Sequence, residues 1–311
     1  MLVPFVWMIL TAVKTNQEAI SVNPFYIFPQ VDWHWENFGK VWKSYNFITL
    51  YKNTILFIEK NMFNLFKKKP KESAKLFYHT DVHSHILPGV DHGSQDVGES
   101  LDMLRAEIEM GITDVMCTSH VTAETFENTP ETLTAAYELL KKAVKEEGLP
   151  VNIYASAEYR IDEYWTKEYE AGHLLPMPGK HILLENSFVQ ELIGIDNMMF
   201  ELQVKGYRPI LAHPERYRYY YERKERYKAL HSASVKFQVN ILSLSGYFGR
   251  GARETALWLI DNNLCDMFGS DMHGLDHARE IQDYIGSREW RKLCDKYDLP
   301  KRIINDREFE L

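Results

Sequence analysis

From residue 76 onward, short aliphatic runs alternate with longer stretches whose apolar residues return every three or four positions, and this alternation limits the fold more than any other feature. The short runs at 76–82, 114–118, 151–157, 181–185, 209–212, 237–240 and 267–269 read as strands. The stretches at 97–110, 130–147, 197–205, 222–231, 250–262 and 276–285 read as helices. Gly111, Gly148, Gly172 and Gly206 fall where helices should stop. Thr129 and Pro130 form a partial helix start, a capping hydroxyl followed by a proline whose fixed φ suits the first turn. The third helical position holds Thr132 rather than Glu or Gln, so no full capping box is expected. Strand–helix units in series predict an α/β fold built on a parallel sheet, closed into a barrel or left open.

Either arrangement collects chemistry at the C-terminal ends of the strands, and that is where this chain places its metal-binding residue types. The first strand ends in Asp81-Val82-His83-Ser84-His85, and residues two apart on a strand project from one face, so His83 and His85 can hold one ion together. Further ends supply His120, Glu158, Glu185, His213, and the pair Asp271 and His273, while Asp91 lies in the loop after the first strand. Only the sixth strand offers no obvious ligand. A single His or Glu at such a position is usually a cap or a surface residue. Five imidazoles and four carboxylates at successive strand ends are hard to explain that way. With no thiolate among them, they suit Mn²⁺, Fe²⁺ or Zn²⁺. Adjacent divalent ions lower the pKa of a shared water and clamp the attacking and leaving oxygens, and four carboxylates leave three such ions with residual positive charge that favours a phosphate dianion.

Composition removes other classes. The 311 residues carry a formal net charge of −8, with no basic stripe, so a nucleic-acid backbone is not expected as a ligand. Cys117, Cys265 and Cys294 are odd in number and scattered, which suits a reducing, cytoplasmic setting. None has an arginine six positions later, so the phosphate loop of cysteine-dependent phosphatases is excluded.

The motifs DVHSH, TSH, AEY, LLEN, AHPERY and GSDMHGLD, in that order, resemble the PHP family (polymerase and histidinol phosphatase). HSHILPGVDHG and AHPERY are similar to its bacterial tyrosine-phosphatase branch from capsule and exopolysaccharide systems, the CpsB/CapC type, over roughly residues 76–290. The resemblance implies a distorted seven-stranded (β/α)7 TIM-like barrel with three divalent ions, generally manganese. It implies that His83, His85, Glu158 and Asp271 hold the first ion, and that Glu158, Glu185 and His213 hold the second. Asp91, His120 and His273 would hold the third. It further implies Arg216 of HPERY as a phosphate ligand. Arg279 is a weaker match, displaced by one position. Where many relatives have a second Asp, this chain has His92, which could approach the third metal.

The expected activity is hydrolysis of phosphotyrosine on a protein tail, that of a bacterial tyrosine kinase controlling capsule or exopolysaccharide synthesis. Membrane contact would come only through that partner, and a homo-oligomer is compatible with the sequence. The phenol leaving group has a pKa near 10, so a metal-bound water or His273 could serve as acid. Phe188, Tyr217 and Tyr247 are candidates for the mouth of the site. The competing readings are a histidinol-phosphatase-type enzyme, which would need an enclosed pocket with an acidic group for the substrate amine, a proofreading exonuclease, and a non-catalytic metal-binding regulator.

Residues 1–61 differ from the rest. The apolar run 3–13 is too short for a bilayer, which needs roughly 20 residues, and lacks the basic start of a secretory signal. PFVWMILTAVKTNQEAI and WENFGKVWKSYNFITLYKNTIL resemble the start of a sugar-transporter permease, but the remaining membrane helices do not follow. The expected organisation is an extraneous or fused permease-like fragment at 1–61, a basic linker at 62–75 and the phosphatase domain at 76–311.

Overall fold

Seven strands form in the predicted series: β1 Thr80–Ser84, β2 Asp114–Val121, β3 Asn152–Arg160, β4 His181–Glu185, β5 Arg208–Ala212, β6 Lys236–Asn240 and β7 Met267–Gly269. In the computed structural model, which describes residues 10–15, 27–29, 32–37 and 74–309, they form one parallel sheet in the order β1 to β7. The sheet curls until its edges touch. The Asp271 N–H donates to the His83 carbonyl (2.8 Å) and the His85 N–H to the Met272 carbonyl (3.0 Å), with a single parallel bridge between Ser84 and Met272. The result is a nearly closed (β/α)7 barrel, distorted where β7 meets β1.

Among the described residues from 74 onward, the α-helices are α1 Val97–Glu109, α2 Pro130–Glu146, α3 Glu163–Ala171, α4 Ile195–Val204, α5 Lys224–Ser232, α6 Ile241–Ser245, α7 Arg250–Asp261, α8 Leu275–Ile285, α9 Arg288–Tyr297, α10 Leu299–Arg302 and α11 Asn305–Glu308. Strands β2 and β3 each run three residues further than expected, to Val121 and Arg160, and other elements differ as well. The first strand begins at Thr80 rather than 76, because Leu76, Phe77 and Tyr78 pack with the outer core instead. Helices α3, α6 and α9 to α11 were not expected. A reciprocal cap does form on α2: the Thr132 hydroxyl accepts from the Thr129 N–H (2.9 Å) and the Thr129 hydroxyl from the Thr132 N–H (3.4 Å). Thr132 thus does what Glu or Gln does in the usual box, since either oxygen can reach the cap N–H.

Alternation along the strands separates two cores. Val115, Cys117, Ile182, Leu184, Leu211, Phe237, Val239 and Phe268 join the outer cluster beneath the helices. Met116, Leu183, Ile210, Ala212 and Met267 form the inner cluster. Two positions further along the same inward rows stand Thr118, Glu185 and Gly269, and then His120 and Asp271. The lower barrel is therefore apolar and its upper end polar. A one-residue slip would exchange Glu185 for Leu184 at the mouth, so burial of the apolar rows fixes the register and with it the site.

The lower end is closed by α11. Asn305 Nδ2 donates to the carbonyls of Thr80 (2.8 Å) and Phe268 (2.7 Å), and its Oδ1 accepts from the Phe268 N–H (3.0 Å). One side chain so ties β1 to β7 at the bottom, and Phe309 joins the inner cluster.

The chain divides into two compact units, Met1–Lys71 and Glu72–Leu311. In the first, the rings of Trp33 and Trp35 stack with centroids 5.7 Å apart. The permease-like segment and the basic linker lie largely outside the described residues. Among the described residues no helix is long and apolar enough to cross a membrane.

Candidate metal centre at the strand ends

The backbone bends to bring the candidate ligands together. Pairing of β1 with β2 is in register at Asp81 and shifted by Ser84, a bulge-like irregularity that re-aims a strand locally. Val82 can then join the inner core while His83 and His85, one and three residues later, both reach the site. His213 and Asp271 adopt left-handed backbone conformations, φ +31° and +48°. His and Asp tolerate this region better than most residues, at a cost of about 1–3 kcal/mol each. Gly269 permits close packing: a Cβ there would lie 2.6 Å from Gln238 Nε2 and 2.8 Å from His83 Cβ.

Eight side chains converge into four overlapping groups: His83, His85 and Asp271; His83, Glu158 and His213; His120, Glu158 and Glu185; and His85, His120 and His273. Within each group the ligand atoms lie within 4.8 Å of one another. Glu158 is central and fully buried. Its Oε1 is 3.0 Å from His213 Nε2, and its Oε2 is 3.0 Å from His120 Nδ1, 3.4 Å from His83 Nε2 and 3.5 Å from His85 Nε2.

Hydrogen bonds around the cluster set its chemistry. The Nδ1 of His83 is 2.7 Å from Gln238 Oε1, and the Nδ1 of His85 is 2.8 Å from Asp91 Oδ2. Both acceptors draw the ring proton to Nδ1, which leaves lone pairs on two Nε2 atoms only 3.2 Å apart. The Nδ1 of His273 likewise faces the Asp271 carbonyl at 2.9 Å, which turns a bare Nε2 inward. That atom is buried without a hydrogen-bond partner, and the 3.0 Å approach of His120 Nδ1 to Glu158 Oε2 lacks hydrogen-bond geometry. A cluster of acceptors facing one another needs cations. Burial pulls His83 down, but the charges of Glu158 and Asp271 outweigh it and raise it to about 9. Burial and the neighbouring Glu158 push Glu185 up to about 8. Protons fill in for positive charge at these positions, and divalent metal ions compete with protons for the same lone pairs. The donor set therefore fits divalent ions.

The sixth strand contributes what the sequence did not reveal. Gln238 donates from Nε2 to Asn240 Oδ1 (2.7 Å), and Asn240 donates from Nδ2 to Asp271 Oδ2 (2.7 Å). A chain of amides therefore runs from His83 to Asp271 and orients both. The signal was present as two amides spaced two apart on one strand. Arg160, two residues after Glu158 on β3, was also missed; it lines the cavity with Arg216, His120, His213 and His273. Among the described residues it has no ion pair.

Other expected residues fall differently. Asp91 belongs to none of the four groups. Its Oδ2 accepts from His85 (2.8 Å) and from the His120 N–H (3.0 Å), so it lies directly against two members of the cluster. Arg279 is 74% exposed on α8 and pairs with Asp276 one turn away (3.1 Å). Burial and the neighbouring His85 hold His273 down at about 3, which suits a neutral metal ligand. Arg216 does face the cavity. Its Nη1 donates to Asp271 Oδ2 (2.8 Å), and its guanidinium sits over Phe188 (4.9 Å) and Phe248 (4.1 Å). Phe188 lines the cavity, whereas Tyr217 is fully buried and donates to the Ala212 carbonyl (2.9 Å) as a packing residue. Tyr247 is half exposed beside His277 and lines no part of the cavity. His92 lies at the rim with its ring nearly parallel to those of His120 (4.9 Å) and Phe126 (5.4 Å), which are themselves 5.9 Å apart.

A parallel (β/α) barrel with clustered imidazoles and carboxylates at its strand ends, and guanidinium groups beside them, is the scaffold of a metal-dependent hydrolase. The chain belongs to the capsular polysaccharide synthesis family CpsB/CapC, whose pattern it matches over residues 79–287. It is 31% identical over 236 residues to the tyrosine-protein phosphatase YwqE of Bacillus subtilis, covering 74% of this chain and 91% of that protein. Tyrosine-protein phosphatase CpsB of Streptococcus pneumoniae is 25% identical over 239 residues, covering 73% and 98%. A solved structure from work on YwqE and CpsB, described as unique metal-dependent tyrosine phosphatases, superposes with a TM-score of 0.61 at 29% identity, over 72% of this chain and 94% of that one.

Proposed function

We propose that this chain is a metal-dependent protein-tyrosine phosphatase. The observation that carries the reading is one cavity of about 210 Å³ that joins the acceptor-rich cluster to two guanidinium groups, Arg160 and Arg216. His83, His85, Asp91, His120, Glu158, Glu185, His213, Asp271 and His273 would hold the ions, up to three of them and manganese by preference, with Gln238 and Asn240 fixing the orientation of His83 and Asp271. Bound divalent ions supply a nucleophilic water at neutral pH and neutralise the transferred phosphoryl group.

The chain's own residues supply the rest. Arg216 is locked by two rings and a carboxylate, so its remaining N–H groups are pre-aimed at phosphate oxygens, where charge-assisted bonds are strong. Arg160 faces the same space from β3. Phe188 and Phe248 shield Arg216 from water. A tyrosine phenolate, with a pKa near 10, departs without full protonation, so a neutral His273 is no obstacle. The substrate we infer is a phosphotyrosine-bearing tail of a bacterial tyrosine kinase, acting in the cytoplasm; the family's place in capsular polysaccharide synthesis and three free cysteines support this.

A histidinol-phosphate specificity is disfavoured because the non-ligand charges at the mouth are arginines, which repel an amine. The deciding experiment compares phosphotyrosine peptide, histidinol phosphate and DNA ends as substrates of the Mn²⁺-loaded protein. Preference for the peptide in kcat/KM is expected; preference for histidinol phosphate would contradict the assignment.

A further inference from the structure

A second cavity of about 370 Å³ adjoins the first and shares two walls with it, Phe188 and Arg216. Its other walls are Phe248, Tyr221 and Ala252, and its charged group is Arg218. The Arg218 side chain is exposed, and among the described residues it has no carboxylate within ion-pair distance. Neighbouring arginines behave otherwise: Arg216 pairs with Asp271, Arg223 with Glu191, and Arg226 with Glu191 and Asp196. The floor is built by close packing. The Tyr221 ring rests directly on the backbone of α7 at Gly251, where a Cβ would lie 2.4 Å from the ring. No residue of the metal cluster reaches this annex, so the hydrolytic site does not account for it.

We propose that the annex is a specificity subsite for an acidic side chain, Asp or Glu, within two residues of the phosphotyrosine. This rests on the phosphatase reading. A peptide whose phosphate lies against Arg216 extends past Phe188, since each residue of extended chain adds about 3.3 Å. The wall shared by the two cavities is therefore the route from the phosphotyrosine to its neighbour. In the annex a carboxylate meets an unpaired guanidinium over an aromatic floor, whereas a lysine meets like charge.

The test measures kcat and KM of the Mn²⁺-loaded full chain on p-nitrophenyl phosphate and on two phosphotyrosine peptides, one flanked by Ala and one by Glu. Wild type should favour the Glu peptide through KM, by roughly 5-fold for one partly exposed ion pair. Arg218→Ala should abolish that preference while leaving p-nitrophenyl phosphate and the Ala peptide unchanged. Arg218→Glu should disfavour the Glu peptide. Gly251→Ala, which drives Tyr221 into the annex, should raise KM for the Glu peptide without affecting p-nitrophenyl phosphate. Hydrolysis of both peptides with no preference, or a preference that survives Arg218→Ala, overturns the subsite and leaves the phosphatase reading intact. No metal-dependent hydrolysis of any of the three overturns both.

Discussion

The two oxygens of Asp271 have different partners, and the division decides what substitutions nearby should do. Oδ2 accepts from Arg216 and Asn240, while Oδ1 faces His83 (3.4 Å) and His85 (3.3 Å). Removing Arg216 leaves Asn240 to hold the carboxylate. Arg216→Ala should therefore keep its metal content while kcat/KM falls by roughly 30- to 1000-fold, the cost of a charge-assisted contact in a closed site. Lys should recover only part of this, because it cannot reproduce the planar fork. Arg279→Ala, on the outer face of α8, should stay within about 2-fold of wild type; a large loss there with a normal Arg216→Ala would show that the phosphate contact is on the wrong arginine. Gln238→Leu makes the opposite separation. It removes the acceptor that fixes His83, and metal affinity should drop about 10- to 100-fold by calorimetric titration, whereas unchanged affinity would mean that the amide chain is only packing. The sequence made the ligands legible because His and carboxylates at strand ends are few and chemically marked. It hid Gln238, Asn240 and Arg160, whose residue types are common and whose meaning comes from what lies across the barrel.

At the level of elements, periodicity carries far but tertiary exceptions escape it. The amphipathic stretches that became α1, α2, α7 and α8 follow the expected spacing within a residue or two. Helix α3 does not, because Glu168 sits on its buried face beside Tyr164 and Trp165 and blurs the apolar stripe. The irregularity in β1 is also absent from any local pattern, since a bulge is defined by the partner strand. Helix α11 is too short to read, yet it closes the barrel floor. There Asp306 accepts the N–H groups of His79 (2.8 Å) and Thr80 (2.9 Å). Burial opposes its ionised form, but these hydrogen bonds outweigh burial and lower its pKa below the usual 3.8. A depressed folded-state value contributes stability above the unfolded pKa and loses it as pH falls through the folded one. In urea melts, wild type should therefore exceed Asp306→Asn at pH 6, and the gap should close between about pH 4 and pH 2. A gap that widens on acidification would contradict this role.

For the molecule as a whole, the matched family pattern spans residues 79–287, and the second compact unit begins at Glu72. Every proposed ligand and both guanidiniums belong to that unit. We infer that residues 1–61 are dispensable. A protein beginning at Met62, near the size of a complete barrel of about 250 residues, should melt and turn over like the full chain. Loss of activity, or a thermal midpoint lower by several degrees, would make the segment part of the working fold.

We infer that clustered imidazoles and carboxylates, and no thiol, perform the hydrolysis. Burial pushes Cys117 and Cys294 up to about 12 and Cys265 well above its ordinary value, so all three thiols are protonated and unreactive at neutral pH. The most direct measurement is phosphate release from a phosphotyrosine peptide at pH 7.5. It would follow untreated protein, protein treated with iodoacetamide, protein stripped with EDTA and then titrated with Mn²⁺, and the His83→Ala/His85→Ala variant. Activity should survive alkylation, vanish on stripping, return with Mn²⁺, and be absent from the variant at every Mn²⁺ concentration. Full turnover by stripped protein or by the double variant, or loss on alkylation, would contradict it.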